Sequence, residues 1–330
     1  MTVLPHPFVA AVRAELEALN VAGPVFVACS GGGDSLALLR ACVELRETGV
    51  NLRPIAAHFD HRQRPNSHVD GAFVARHAAR WDCDVALGSI EATPGASEAT
   101  LRTARYAWLA STARRVGATF VLTGHTADDQ AETVLLRIVR GTGVSGLTGI
   151  PAIGPVPGSR GSDGSLRVVR PMLATTGAEA RAFLTERGLS WRDDPSNATP
   201  DYTRNRLRHD VLPLLAELNP RVREAMVRLA SAARDEAEAL AALTDAALEG
   251  QIGFSGPQRI ELSEARLLAL PEPARRAALR RVWRKAGWPE QRMGRADWQR
   301  LAALAPGDAR LFLPHNVQAV YATGLLVFRR

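Results

Sequence analysis

From about Pro24 onward, apolar positions follow two alternating rhythms: short branched-aliphatic runs, and longer stretches in which they return every three or four residues. PVFVACS leads through a glycine loop into DSLALLRACVELRE, RPIAAHFD into HVDGAFVARHAARW, DVALGSI into SEATLRTARYAWLASTARR, and ATFVLTG into TADDQAETVLLRIVR. The first rhythm predicts strands buried on both faces, the second amphipathic helices. Strands separated by single helices need crossover connections, so the expected fold is α/β, a doubly wound parallel sheet. Ligands of such sheets bind beyond the C-terminal strand ends, where the strand-to-helix loops converge.

Beyond this region the glycine-rich run RGTGVSGLTGI is followed by GPVPGSRGSDGS, whose composition predicts a flexible connection near 154–165. A short strand in LRVVRPML, a helix starting near Gly177 and a long helix from about Arg221 to Glu249 come next. The tail from roughly Gly250 predicts a small α+β domain, with a helical pair and then two alternating runs around a turn at Thr323 and Gly324. A length of 330 residues suits two domains, placed at 1–215 and 216–330.

Composition narrows the class. Apolar residues make up 46% and charged residues 23%, and no apolar run approaches the ~18 residues of a membrane span. The N-terminal stretch mixes acidic and basic residues in helical spacing and lacks the features of a secretion signal, which predicts a cytoplasmic protein with no membrane partner. Cys29, Cys42 and Cys83 are odd in number and widely spaced, as expected of reduced core thiols. The net charge of +7 favours a polyanionic partner. No protein partner is evident, and a homodimer is compatible with the sequence.

Two motifs carry chemistry. SGGGDS, Ser30, Gly31, Gly32, Gly33, Asp34 and Ser35, ends a strand and opens a helix, where glycine amides and the helix dipole favour an anion. The loop has no lysine of the Walker kind. A carboxylate beside a polyphosphate calls for a bridging cation, so Asp34 is expected to hold Mg²⁺. The second motif, TGHTADDQAETVLLRIVRGTG, places His125, Asp128, Asp129 and Glu132 at i, i+3, i+4 and i+7, with Val134, Leu135, Ile138 and Val139 as the buried side. Helix capping accounts for one or two of these acids more readily than for all three; the alternative is that they hold Mg²⁺ or a substrate amine. Further on, Arg204, Arg206 and Arg208 cannot all share one helical face. Arg276, Arg280, Arg281, Arg284 and Lys285 do share one, opposite Leu279, Val282, Trp283 and Ala286: a solvated face or a phosphate-tracking one.

SGGGDS resembles the SGGxDS signature of the PP-loop ATP pyrophosphatases, which activate a carbonyl oxygen as its adenylate. The second motif resembles the GHxxDDQxET…RGTG…GL segment of tRNA(Ile)-lysidine synthetases. HFDHRQRP is similar to that family's HVxHGLRP, departing at Phe59, Arg62 and Gln63. SEATLRTARY is similar to ExxARxxRY, keeping Glu98, Arg102, Arg105 and Tyr106 with Leu101 in place of Ala. RPML, WRDDPSN and YTRNRLRHDVLPLL match its RPLL…DPSN…RNxxR…PxL block. The resemblance runs from about residue 24 to 220. It implies ATP-dependent joining of free L-lysine to the wobble cytidine of CAU-anticodon tRNA(Ile) through an adenylated base, a carbon–nitrogen ligase reaction using Mg²⁺. By position it assigns ATP binding to residues 30–35, His58, Arg102 and Gly124, and lysine binding to Asp129, Glu132, Arg204 and Asn205. Catalysis falls to Asp34, His125, Asp129 and Glu132. Arg140, Arg208, Arg276, Arg280 and Arg284 are the expected tRNA contacts. A PP-loop tRNA thiolase and a non-catalytic nucleotide-sensing RNA-binding module are the competing readings.

Overall fold

The computed structural model describes residues 5–62, 67–91, 97–157, 166–192, 203–249, 252–255 and 258–330. It divides into two compact units, Met1–Ser231 and Ala232–Arg330. The division falls inside the long helix Val222–Leu248, later than the 215/216 boundary expected from the sequence.

The first unit begins with α1 (Pro7–Ala18), then alternates β1 (Gly23–Ala28), α2 (Gly33–Glu47), β2 (Leu52–Asp60), α3 (His68–Arg80), β3 (Asp84–Ser89), α4 (Glu98–Arg115), β4 (Phe120–Thr123) and α5 (Ala127–Val139). A short α6 (Val144–Leu147), β5 (Ile153–Pro155), β6 (Arg167–Val169) and α7 (Gly177–Glu186) follow. After them come α8 (Thr203–Arg206), a π-helical turn at Leu207–Val211, α9 (Leu212–Leu218) and α10 (Val222–Leu248). Strand order is β3-β2-β1-β4-β6-β5, parallel except for β5, which runs antiparallel to β6 at the edge. Gly154 and Pro155, assigned above to a flexible connection, are thus part of a strand; residues 158–165 lie outside the described residues. So do Gln63, Tyr202, the DPSN run and the side chain of Glu98.

Alternation along each strand sorts the core into two layers. Val25, Val27, Leu122 and Val169 join Phe8, Val12, Leu36, Val74 and Phe183 from α1, α2, α3 and α7. Phe26, Ile55, Val121 and Val168 point the other way and pack with Tyr106 and Leu109 of α4. Because successive residues of a strand face opposite sides, a continuous apolar run serves both layers at once. The winding reverses between β1 and β4: the chain leaves β1 toward β2 and β3, then returns to β4 on the other side. Loops after two such neighbours diverge and open a crevice at the strand ends. The two chemical motifs follow β1 and β4.

The second unit holds β7 (Ile252–Ser255), β8 (Arg259–Ser263), α11 (Glu264–Ala269), α12 (Glu272–Lys285), α13 (Arg295–Ala303), β9 (Leu311–Leu313), β10 (Val317–Ala322) and β11 (Leu325–Arg329). Its antiparallel sheet has the order β7-β8-β11-β10-β9. The expected turn joins β10 to β11, with Thr323 and Gly324 both at positive φ (52° and 73°), as a two-residue hairpin turn requires. Strands β7 and β8 go beyond the sequence expectation. Trp283 of α12 is buried at the centre, edge-on to Trp288, Trp298 and Phe328.

Candidate active site

The glycine loop turns sharply at Gly31, whose φ of +93° is open to glycine and strained for other residues. Ser35 ties the turn together: its Oγ accepts from the Ser30 amide (3.2 Å) and donates to the Gly32 carbonyl (3.0 Å). Gly32 caps α2 with extended backbone and no side-chain cap, so the first amides of that helix face outward, the arrangement that receives an anion. Gly124, at the end of β4, presses on this turn. A Cβ there would lie 3.0 Å from the Asp34 carbonyl carbon and oxygen.

Both motifs open into one cavity of about 560 Å³, lined by Ser30, Gly32, Gly33, Asp34 and Ser35 on one side and Gly124, His125 and Asp129 on the other. Ala28, Ala57, Phe59 and Leu109 form an apolar recess toward α4, with Arg105 and His61 beside it. Phe59, one of the departures from the family pattern, packs against Trp108 (ring centroids 5.4 Å) and His61 (5.1 Å).

Asp34 Oδ1 is buried without a hydrogen-bond partner among the described residues. Burial, reinforced by the Asp129 carboxylate, pushes the Asp34 carboxyl up to about 6. An anionic oxygen with no donor, at the mouth of an anion cradle, fits a divalent cation shared with phosphate oxygens. Among the described residues no three His, Cys, Asp or Glu side chains converge on one point, so Asp34 would hold Mg²⁺ together with the nucleotide's own phosphates.

The acidic run behaves differently from the sequence expectation. His125 precedes the helix rather than lying on it, because Thr126 is the N-cap of α5 in extended conformation. Its Nδ1 meets Thr123 Oγ1 at 2.9 Å. Burial, opposed by Asp129 and assisted by Arg170, Arg204 and Arg102, holds His125 down at about 4, so it is neutral at physiological pH. Asp129 completes a capping box, its Oδ2 accepting from the Thr126 amide at 2.9 Å, while Oδ1 accepts from Arg204 at 2.9 Å. Asp128 turns away, accepting from the amide of Gly177 at the start of α7 (2.9 Å) and pairing with Arg223 of α10 (3.2 Å). Glu132 is 1% exposed and does not line the cavity; Arg204 and Arg208 hold its two oxygens at 2.7 and 2.5 Å. Arg204 and Arg208, four positions apart across α8 and the π turn, reach it together, while Arg206 faces Asp210 instead. Asn205 is half-buried in α8. On the opposite side of α5, Val134 and Leu135 are buried as expected, but Ile138 and Val139 in its last turn are exposed (45% and 64%).

Two other assigned residues stand back from the cavity. His58 is buried and its Nδ1 contacts the Cys29 carbonyl at 2.9 Å, bracing β2 against the strand that carries the loop. Arg102 is exposed on α4, its guanidinium 5.5 Å from the Tyr106 ring centroid. Arg140, just past α5, is exposed. In the second unit Arg276 pairs with Glu272, and Arg280 and Arg284 both pair with Glu290, so these arginines are already engaged. All three cysteines are free and buried; burial pushes the Cys29 thiol, beside the loop, up to about 11.

Arg181, Trp191 and Arg192 are among the cavity residues to which sequence reasoning gave no role. The Arg192 amide donates to the Gly31 carbonyl (3.0 Å), and its side chain pairs with the buried Asp70 of α3. Trp191 packs close to Gly33, and Arg181 of α7 reaches Asp34 at 3.8 Å. Trp191 and Arg192 stand in the WRDDPSN run, a signal present in the sequence; nothing in the spacing links Arg181 to the loop.

A doubly wound sheet with a glycine anion cradle that carries an acidic residue at the switch point defines a PP-loop nucleotide-binding domain, and the PP-loop domain family model matches residues 9–215. Among curated relatives, the tRNA(Ile)-lysidine synthase of Streptomyces coelicolor is 38% identical over 323 residues, covering 94% of this chain and 87% of the relative. That of Gloeobacter violaceus is 38% identical over 282 residues, covering 85% and 82%. The Thermus thermophilus enzyme is 40% identical over 292 residues, covering 86% and 54%. The chain therefore belongs to the tRNA(Ile)-lysidine synthase family, although it spans about half the length of the Thermus relative. Of solved structures, the U34-tRNA thiolase NcsA from Methanococcus maripaludis shares the fold, with a TM-score of 0.54 at 16% identity over 68% of this chain and 76% of that one.

Proposed function

We propose that the protein joins free L-lysine to the wobble cytidine of a CAU-anticodon tRNA(Ile) in the cytoplasm, using ATP and Mg²⁺ and releasing AMP and pyrophosphate. The observation that carries this reading is the single cavity shared by the glycine loop and by His125 and Asp129. The loop amides and the helix dipole favour the polyphosphate, and the apolar recess at Ala28, Ala57 and Phe59 suits a flat base. Bound at Asp34, Mg²⁺ would supply positive charge to the phosphates.

In the first step the cytosine carbonyl oxygen attacks the α-phosphorus, and the electron pair of the broken P–O bond leaves on pyrophosphate. In the second the lysine ε-ammonium gives up a proton to water, the free amine attacks the activated ring carbon, and the bond from that carbon to oxygen breaks with its electron pair leaving on AMP. Of the acids on α5, Asp129 is the one on the cavity wall and the best placed to hold the ammonium. Glu132 serves the same site from behind, by holding Arg204 and Arg208, whose guanidinium groups suit the carboxylate of free lysine. A neutral His125 adds a polar contact without adding charge, and its low basicity makes it a poor resting place for the amine proton.

Thiolation is disfavoured by the cysteines: the one beside the loop has a pKa of about 11 and is no thiolate at neutral pH. Mass spectrometry of tRNA incubated with protein, ATP and lysine tests the proposal. Addition of lysine to the wobble cytidine supports it; sulfur incorporation or an unchanged mass removes it. Asp129→Asn should abolish saturable lysine dependence, and retention of normal lysine dependence removes the amine-binding role.

A further inference from the structure

The glycine loop has no lysine, and its own charged side chain is the anionic Asp34, so any side-chain cation that meets the departing pyrophosphate comes from another element. Four arginines line the cavity: Arg105, Arg181, Arg192 and Arg208. Arg192 is tied to Asp70 and Arg208 to Glu132, while Arg105 lies on α4 beside the recess and His61. Arg181 differs from the others near the loop. Like Arg105, whose Nε is buried without a partner, it donates no side-chain hydrogen bond among the described residues; unlike Arg105 it lies at the loop, with its side chain 49% exposed and Asp34 Oδ1 3.8 Å away.

Two glycines keep that position clear. A Cβ on Gly33, the first residue of α2, would stand 3.2 Å from Arg181 Cγ. A Cβ on Gly177, the first residue of α7, would stand 3.1 Å from an Arg181 guanidinium nitrogen and 3.2 Å from Asp34 Oδ1. The stem of Arg181 therefore crosses the start of the phosphate helix, and its charged fork lies beside the carboxylate assigned to Mg²⁺, with its five donors unclaimed by hydrogen bonds among the described residues.

We propose that Arg181 binds the β and γ phosphates of ATP and stabilises pyrophosphate as it leaves, supplying from α7 the cation that the glycine loop lacks. The inference rests on the ATP-cleaving reading given above. As the bond between cytosine oxygen and α-phosphorus forms, the bond to the bridging oxygen breaks and its electron pair stays on pyrophosphate. Arg181 meets that charge by hydrogen bonding.

The test is equilibrium binding of inorganic pyrophosphate and of AMP, by calorimetry, to the full chain and to Arg181→Ala and Arg181→Lys, with Mg²⁺ and again in EDTA. Loss of one charge-assisted contact predicts pyrophosphate affinity falling roughly 10- to 100-fold in Arg181→Ala, with AMP affinity changed less than about twofold. Arg181→Lys should recover part of the loss, since charge persists while the fork is lost, and it keeps the test informative if the alanine variant folds poorly. The contrast should survive in EDTA, because a guanidinium needs no metal to grip phosphate. Equal weakening of both ligands, no weakening of either, absence of pyrophosphate binding by the parent protein, or a contrast that vanishes in EDTA overturns the assignment, the last by showing that Arg181 acts only through Asp34. A protein that leaves tRNA unmodified yet shows the pyrophosphate contrast loses the ligase reading and keeps this one. Lysidine formation without the contrast does the reverse.

Discussion

Replacing Glu132 with glutamine removes the charge from a carboxylate that is 1% exposed and receives three hydrogen bonds, two from Arg208 and one from Arg204. The glutamine amide keeps one acceptor oxygen but turns an NH₂ toward guanidinium groups that can only donate. Breaking a buried pair from one side costs about 3–5 kcal/mol when both partners are sealed from water. Here the arginines are 41% and 36% exposed and regain water, which lowers the expected loss to about 2–4 kcal/mol. For a unit of this size that corresponds to a fall in melting temperature of roughly 5–10 °C, read by circular dichroism at constant pH and salt. The functional consequence follows from the same geometry. With Arg204 and Arg208 no longer held, the KM for lysine should rise while that for ATP changes little, since Glu132 does not line the cavity. A double-mutant cycle with Arg204→Ala sharpens the result: residues that act as a unit should show a coupling of about 1 kcal/mol or more in both stability and lysine KM. A Glu132→Gln protein that melts within a degree of the parent, or additive effects in the cycle, would refute the role of Glu132 as the anchor of the arginine pair.

Gly124→Ala places a methyl group 3.0 Å from the Asp34 backbone, so the turn after β4 must draw back from the glycine loop; a stability loss of roughly 1–3 kcal/mol and a roughly 10- to 100-fold loss of ATP turnover are expected, measured by urea unfolding and steady-state kinetics. The Asp34 carboxyl is raised to about 6 in the fold, so its protonated form favours folding at low pH and that stabilisation is lost as pH rises through 6. In metal-free buffer Asp34→Asn should therefore melt above the parent at pH 7.5 and alongside it near pH 4, and a difference that fails to grow between those pH values contradicts the shift. Trp283→Ala deletes the centre of the second unit's aromatic cluster, 1% exposed and bonded through Nε1 to the Pro289 carbonyl at 3.1 Å. It should cost about 3–5 kcal/mol there, seen as an earlier unfolding transition, while pyrophosphate binding at the first unit persists.

The sequence by itself determined β1 to β4, β6 and the helices α2 to α5, α7 and α10, because continuous apolar runs and three-to-four spacing are local records of how a segment is buried, whereas β5 was read as a flexible connection. It also located the glycine loop and the acidic run at strand-to-helix turns, since turn and cap residues act within a few positions of themselves. The tail was only partly legible: β10, β11 and the turn at Thr323 and Gly324 were readable, whereas β7 and β8, between α10 and α11, were not. Which acid faces the cavity was not legible. Asp128, Asp129 and Glu132 look alike along the chain, and their roles diverge because Gly177, Arg223, Arg204 and Arg208 arrive from other elements. The same holds for Arg181 over Gly33 and Arg192 against Asp70. Ion pairs between residues dozens of positions apart leave no periodicity; only the packing of α7, α8 and α10 around the reversal between β1 and β4 decides who meets whom.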